Sequence, residues 1–216
     1  MRDLDIRRLA ERAPLRTIRW QDVDALDVNA ARYLARLEEQ GGLTRIAKGV
    51  FVAPPGGADG RQWKVPLEAG ALALATARFG QRRVALMGIG AARHWGAIPR
   101  ALGTTVVAIP VGGRPPVTLV TGGTVHFIQR DVAKLKTVLE RTALGEGLVT
   151  TPAQTLYDLL ARPKTGNAVF AVGEAVKNLR ARVTWRELQE IVDRAERVPA
   201  AVHTVLNEME ANGRMD

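Results

Sequence analysis

The stretch that decides the fold is Asp27–Val52, D-V-N-A-A-R-Y-L-A-R-L-E-E-Q-G-G-L-T-R-I-A-K-G-V-F-V. Apolar residues recur in it at helical spacing and predict a helix with an inward stripe formed by Ala31, Leu34 and Leu37. Asp27 is expected to cap the start of this helix through its side-chain oxygen. Gly41-Gly42 predicts its end.

The same helix carries a second, polar stripe. Its members lie at i, i+3, i+4 and i+7 and therefore share one helix face: Asn29, Arg32, Tyr33 and Arg36. An amide, two guanidiniums and a phenol suit the base edges and phosphates of a DNA major groove. The stripe is therefore predicted to contact DNA. The alternative interpretation is an ordinary solvated helix face.

Two short apolar runs follow the glycines, Leu43–Ile46 and Val50–Ala53, and predict a tight hairpin. Its basic side chains, Arg45 and Lys48, lie near the tip and are expected to meet phosphates or the minor groove. A recognition helix followed by a basic hairpin is the winged helix-turn-helix arrangement.

The residues upstream agree with that arrangement. They predict a helix over 2–12, a short strand over 15–18 and a second helix over 20–26. Gln21, near the start of the second helix, is expected to meet the DNA backbone.

Residues 54–62, P-P-G-G-A-D-G-R-Q, form the strongest break in composition. Prolines and glycines at this density predict a linker. The predicted division is a winged helix-turn-helix DNA-binding domain over 1–55, a linker over 56–62 and a C-terminal domain over 63–216.

The C-terminal domain mixes strand-like and helical runs and closes on helices. A helix is expected from Thr151-Pro152 to about residue 162, followed by helices over about 167–180, 184–196 and 199–212. Residues 131–141 fit either a helix or an irregular strand. The predicted fold class is α+β: an N-terminal winged helix-turn-helix, then a larger mixed α/β domain ending in a helical bundle.

The 216-residue chain has a net charge of +9 and a pI near 10.7, which favours a polyanionic partner. Residues 1–55 contain ten Lys and Arg against eight Asp and Glu, so most of the surplus lies beyond them. Eight basic residues occur between 56 and 114: Arg61, Lys64, Arg78, Arg82, Arg83, Arg93, Arg100 and Arg114. Arg82, Arg83, Arg93 and Arg100 in particular form a possible additional basic surface for phosphates. The alternative is a dispersed, solvated set.

Several classes of function lack their motifs. There are no cysteines and only three widely spaced histidines, so neither disulfides nor a metal site is expected. Gly88-Ile89-Gly90 opens a dinucleotide-type turn, but Arg93 replaces the third glycine and no acid follows at the required distance. No enzyme activity or cofactor is predicted. No membrane span or apolar signal core is found, so we expect a cytoplasmic protein.

Four stretches together resemble a known family. They are W-Q-D-V at 20–23, the segment over 29–52, A-L-M-G-I-G-A-A-R-H-W-G at 85–96, and G-L-V-T-T-P-A-Q-T-L-Y-D-L-L at 147–160. The chain resembles the AbiEi-type antitoxins of type IV toxin–antitoxin, or abortive-infection, systems, and mycobacterial members most. Trp95 departs from the family pattern, because it separates His94 from Gly96.

The resemblance implies an autorepressor and antitoxin. Its winged helix would bind inverted repeats in double-stranded promoter DNA. Its C-terminal domain would oppose a nucleotidyltransferase-like toxin, and this need not involve a stable complex. Three alternatives stay open: a stand-alone transcription regulator with a ligand-sensing C-terminal domain, an enzyme with a DNA-binding arm, and a protein-binding winged helix.

Overall fold

A computed structural model describes residues 3–25, 29–56 and 58–213. The first unit runs through α1 (Asp3–Arg12), a 3-10 turn (Pro14–Arg16), β1 (Thr17–Arg19), α2 (Trp20–Asp24), α3 (Ala30–Glu39), β2 (Thr44–Ala47) and β3 (Val50–Val52). The strands form an antiparallel sheet in the order β1-β3-β2. This succession of helix, strand, two helices and hairpin is the one that the sequence predicts.

Helix α3 packs with a face that differs slightly from the predicted one. Ala30, Leu34 and Leu37 are buried, whereas Ala31 is exposed. The prediction for Ala31 was wrong. Successive residues turn by about 100° around a helix, and the buried face is centred between Leu34 and Ala30, on the side of Leu34 that faces away from Ala31. Asn29 is the N-cap residue. The predicted cap, Asp27, lies outside the described residues.

The larger unit surrounds a six-stranded mixed sheet. Its elements are α4 (Leu67–Phe79), β4 (Ala85–Met87), α5 (Gly88–His94), β5 (Thr104–Ile109), β6 (Val117–Thr118), β7 (Thr124–Gln129), a 3-10 turn (Val132–Lys134), β8 (Thr137–Thr142), β9 (Gly145–Thr150), α6 (Pro152–Ala161), α7 (Val169–Arg180), α8 (Trp185–Val192) and α9 (Ala200–Gly213). The strand order is β6-β7-β5-β4-β9-β8, with β5–β7 and β4–β9 parallel. The chain is therefore α+β, as predicted, and its last elements are helices.

The two faces of this sheet are covered differently. Alternate residues of the central strands point to opposite faces. Leu86, Val107 and Val149 join the cluster built around α4. Met87 and Val106 join the cluster formed by α5 to α9. The helical bundle therefore lies on one face of the sheet, and α4 lies on the other.

The first unit shares its core with the larger one. Ile46, Val50 and Val52 of the hairpin belong to the same buried cluster as α4. The Val120 amide donates to the Ile46 carbonyl at 2.9 Å. A continuous apolar interface of this kind holds the hairpin against the larger unit.

The segment predicted as a linker makes specific contacts where it is described. The Gly60 amide donates to the Gly41 carbonyl at 2.9 Å, and the Thr44 hydroxyl donates to the Gly60 carbonyl at 3.3 Å. A Cβ on Gly60 would lie 2.7 Å from the Gly41 carbonyl oxygen. Gly60 is therefore packed against the end of α3 and the start of β2.

Residues 131–141, for which the sequence left two readings, form the 3-10 turn followed by strand β8. Strand β9, for which the sequence analysis made no prediction, begins at Gly145 and pairs antiparallel with β8. Strand β8 is an edge strand whose burial does not alternate strictly, since Val138 and Leu139 are both exposed. This irregular pattern explains why the sequence did not distinguish a strand from a helix.

Candidate nucleic-acid interface

A basic groove of about 760 Å³ lies between the β2–β3 hairpin and the larger unit. It is lined by Arg19, Trp20, Gln21, Ala31, Leu34, Arg45, Lys48, Gly49, Val50, Phe51, Arg78, Phe79 and Arg114. These side chains come from the start of α2, from α3, from the hairpin, from the end of α4 and from the β5–β6 loop. Five of them are basic and none is acidic. We call this surface the wing groove.

The cations of the wing groove differ in their partners. Arg19 pairs with Asp22 at 2.6 Å, and Arg45 pairs with Glu38 at 2.7 Å while lying 5.2 Å above the Phe51 ring. The other three have no ion-pair partner in the part of the chain that the structure describes: Lys48, Arg78 and Arg114. The groove therefore keeps an uncompensated positive charge.

Arg78 and Arg114 reinforce each other as an anion-attracting pair. Desolvation and, secondly, the like charge of Arg114 lower the pKa of Arg78. Two guanidiniums held close together without a carboxylate are unfavourable by themselves, and an anion between them relieves that repulsion. A phosphate group can accept two parallel hydrogen bonds from either guanidinium.

Three of the predicted DNA-contacting residues come together in this groove, namely Gln21, Arg45 and Lys48. Gln21 and Lys48 are exposed there. Arg45 lies in strand β2 rather than at the turn, and its ion pair with Glu38 fixes its guanidinium. The structure thus places a polar and basic surface beside the hairpin tip.

The predicted stripe on α3 lies outside the groove lining. Arg32 is exposed and has no ion-pair partner within the described ranges. Arg36 pairs with Asp3 of α1 and lies 5.2 Å above the Tyr33 ring. Asn29 is exposed at the N-cap. By helical geometry Arg32 and Arg36 project away from the buried face, and Tyr33 lies on the side nearer α1.

The additional basic residues predicted in the larger unit do not line the wing groove. Arg93 pairs with Glu68 at 3.0 Å and donates to the Arg100 carbonyl. Arg100 pairs with Glu174 at 3.3 Å and lies 5.4 Å above the Phe170 ring. Arg82 and Arg83 are exposed after α4. The residues that do reach the groove are Arg78 and Arg114, which the sequence offered only as members of a larger basic set.

The two distinctive stretches of the larger unit, over 85–96 and 147–160, pack against each other as α5 and α6. The Trp95 indole donates to the Thr150 carbonyl at 2.8 Å. Gly90 is buried, and a Cβ on it would lie 2.2 Å from the Thr105 hydroxyl oxygen. Gly90 of the G-I-G turn therefore allows α5 to pack closely on strand β5.

Two further site types receive no support within the described ranges. These residues contain no group of three or more His, Cys, Asp or Glu side chains arranged to hold a metal ion. They also contain no helix long and apolar enough to cross a membrane.

Comparison with known proteins identifies the class as antitoxins. A family model for the AbiEi antitoxin C-terminal domain matches residues 83–208. The chain belongs to the AbiEi antitoxin family, and this assigns it a role in a toxin–antitoxin system.

The fold is also that of a solved structure. The crystal structure of RV2827C protein from Mycobacterium tuberculosis matches with a TM-score of 0.60 and 17% sequence identity, over 95% of this chain and 74% of that one. At that identity the likeness concerns the fold. The comparison with curated proteins found no match.

Proposed function

We propose that this antitoxin also represses its own operon, by binding inverted repeats in the promoter through a winged helix formed by residues 1–55. The observation that carries the proposal is the wing groove, with five basic and no acidic lining side chains beside an exposed α3 face. Phosphate contacts give affinity and orientation, whereas contacts to base edges give sequence preference. In this proposal the groove supplies the phosphate contacts, and α3 supplies the contacts to base edges.

Each predicted residue then has a role. Arg32 reaches base edges in the major groove, with Asn29 and Tyr33 beside it. Arg36 exchanges its contact with Asp3 for a phosphate or a base. Lys48 contacts phosphates, and Gln21 contacts the backbone from the start of α2. Arg45 holds the hairpin against α3 through Glu38, and its charge adds to the positive electrostatic potential of the groove.

The C-terminal domain, residues 63–216, supplies the protection from the toxin in this proposal. The toxin is a nucleotidyltransferase-like protein encoded beside the antitoxin, and it is opposed without a stable complex. The antitoxin performs no enzymatic reaction of its own and acts in the cytoplasm. Family membership supports the antitoxin role.

The DNA half of the proposal is tested with the full-length protein and its own promoter in a mobility-shift assay. We expect a shift that weakens as salt rises and that is lost when the inverted repeats are scrambled. Equal affinity for the native and the scrambled promoter would contradict operator recognition. The toxin half is tested by expressing the adjacent gene alone and together with the antitoxin.

One alternative, a stand-alone transcription regulator with a ligand-sensing C-terminal domain, has an observation in its favour. The helical bundle contains a second cavity, and a ligand-sensing domain would use such a cavity. The adjacent gene discriminates between the two. If that gene is harmless when expressed alone, the protein is a stand-alone transcription regulator. If it is toxic and the antitoxin restores growth, the proposed function stands.

A further inference from the structure

The second cavity has a volume of about 820 Å³ and shares no lining residue with the wing groove. It lies between the end of β7, the 3-10 turn after it, α6, and the segment that joins α8 to α9. Basic side chains dominate its wall: Arg130, Lys134, Lys136, Arg162, Arg194 and Arg197, against the acidic Asp131 and Glu196. We call it the bundle cavity.

Half of these six basic side chains have an acidic partner among the described residues, and one of them is Arg130, which lies 3.6 Å from Asp158. Lys136 pairs with Glu190. Lys134 lies 3.6 Å from Glu196, but both side chains are largely exposed, so this pair contributes little. Three guanidiniums have no ion-pair partner among the residues that are described: Arg162, Arg194 and Arg197. The cavity is therefore prepared for an anion.

Two buried polar groups of α6 support the cavity: Gln154 lines it, and Asp158, outside the lining, is hydrogen-bonded to Gln154. We call these two residues the floor of the cavity. Gln154 and Asp158 are 4% and 3% exposed. The Gln154 amide donates to Asp158 Oδ1 at 3.1 Å, and Arg130 Nη2 lies 3.6 Å from the same oxygen. Asp158 Oδ2 and Arg130 Nε find no hydrogen-bond partner among the described atoms. Burial raises the pKa of Asp158 to about 6, although Arg130 opposes the shift.

This floor is costly for stability. A buried carboxylate oxygen without a hydrogen-bond partner disfavours the folded state, and so does the unpartnered Arg130 Nε, which is a donor that an anion could satisfy. Asp158 anchors Arg130 at the cavity wall through one oxygen only. The Arg130 guanidinium therefore keeps donors available for an incoming anion.

Apolar side chains and a helix end complete the wall. Leu135, Tyr157 and Ile191 line the cavity, and the Tyr157 hydroxyl donates to the Arg197 carbonyl at 2.7 Å, which fixes the ring. The 14-residue helix α9 begins at Ala200, also in the lining. The amino end of a helix carries a partial positive charge that favours phosphate groups.

We propose that the bundle cavity binds a nucleoside triphosphate. Its phosphates contact Arg130, Arg162 and Arg194, and its base lies against the apolar side of the wall. The volume falls within the range of about 300–1,000 Å³ typical of small-ligand sites and is too small for a DNA duplex. Basic and apolar walls together fit a ligand with both a polyphosphate and a planar ring.

The test is calorimetric titration of the full-length protein, without DNA, against ATP, GTP, CTP and UTP, and separately against inorganic phosphate. We expect at least one of the nucleotides to bind with a stoichiometry of one. The double variant Arg162→Ala, Arg194→Ala should raise Kd about 100-fold, because each charge-assisted contact accounts for about tenfold. The control is Arg186→Ala, an exposed arginine of α8 outside the cavity, which should leave Kd unchanged.

Four results would overturn the assignment. They are no binding of any nucleotide by the wild type, an equal loss in Arg186→Ala, inorganic phosphate binding as tightly as the nucleotides, and a loss in Lys48→Ala that matches the double variant. The last would place the ligand in the wing groove. Far-UV circular dichroism of each variant separates a lost contact from a lost fold.

Discussion

Arg32 and Arg36 project from the same face of α3 but differ in what holds them. Arg36 is engaged by Asp3 and by the Tyr33 ring, whereas Arg32 has no ion-pair partner in the described part of the chain. A free guanidinium adapts to a base edge without first giving up an intramolecular partner. Arg32 is therefore the residue from which most sequence preference is expected.

Replacing Arg32 with alanine should weaken binding to the native promoter by about 1–3 kcal/mol, because a bidentate contact to a guanine is lost. The measurement is a titration by fluorescence anisotropy at fixed salt. Arg12→Ala, an exposed arginine at the end of α1, is the matched control and should bind like the wild type. Unchanged affinity in Arg32→Ala would refute the assignment of α3 as the recognition helix.

Asp158 makes the stability of the larger unit depend on pH. Its pKa of about 6 in the folded protein lies above the ordinary value of 3.8. Between these pH values the folded chain holds a proton that the unfolded chain has released, so raising the pH through this window lowers the free energy of unfolding. Asp158→Asn removes the titration. We expect that variant to gain up to about 3 kcal/mol relative to the wild type between about pH 4 and pH 7.

Urea denaturation at several pH values measures this gain. Asp193→Asn serves as the control and should follow the wild-type curve. Asp193 is exposed and, like Asp158, accepts a hydrogen bond from the glutamine four residues before it. If Asp158→Asn and the wild type keep a constant difference from pH 4 to pH 7, the carboxylate does not titrate in this window. Asp158 would then be either protonated or ionised over the whole range from pH 4 to pH 7.

At the scale of elements, the segment after β3 provides a matched pair of glycines. A Cβ on Gly60 would meet backbone at 2.7 Å, whereas a Cβ on Gly56 would meet nothing within 4 Å. We therefore expect Gly60→Ala to lower the free energy of unfolding by about 1–3 kcal/mol through overpacking. Gly56→Ala should stay within about 0.5 kcal/mol of the wild type. Chemical denaturation of both variants checks this, and equal stabilities would show that the segment is a free linker.

How well each element could be predicted depends on how local its signals are. The start of α6 was predicted correctly because its cap is local: the Thr151 hydroxyl accepts from the backbone N–H of Gln154 at 3.2 Å, and Pro152 takes the first helical position. Strand β9 was not predicted, because Gly145 and Gly147 have low β propensity. Gly147 is needed where a Cβ would approach Leu72 of α4 to 3.0 Å, and such a contact cannot be read from neighbouring residues.

At the scale of the whole molecule, the wing groove unites residues from both units. The sequence identified Gln21, Arg45 and Lys48 from the helix and hairpin patterns. It could not select Arg78 and Arg114 from the eight basic residues of their region, because the selection depends on how α4 and the β5–β6 loop pack beside the hairpin. The polar stripe of α3 stays a prediction for DNA contact.

This composite groove predicts a measurable salt effect. Each phosphate contact steepens the dependence of log K on log salt by about 0.9. The double variant Arg78→Ala, Arg114→Ala should therefore lower the slope for promoter binding by about 0.9, because the pair is proposed to share one phosphate, while preserving sequence preference. Arg82→Ala, Arg83→Ala, an exposed pair outside the groove, is the control. A larger loss of slope in that pair would move the phosphate contacts to the additional basic surface suggested by the sequence.

The core shared between the hairpin and α4 has a consequence for how such antitoxins diverge. Ile46, Val50 and Val52 are buried against the larger unit. A recombination event that replaced the first unit would therefore also have to supply apolar residues that fit against α4. Exchange of whole modules is therefore a poor route to a new operator. If α3 reads the operator as we propose, substitution on its outer face, where Arg32 is exposed and has no ion-pair partner among the described residues, would change the operator without disturbing the larger unit.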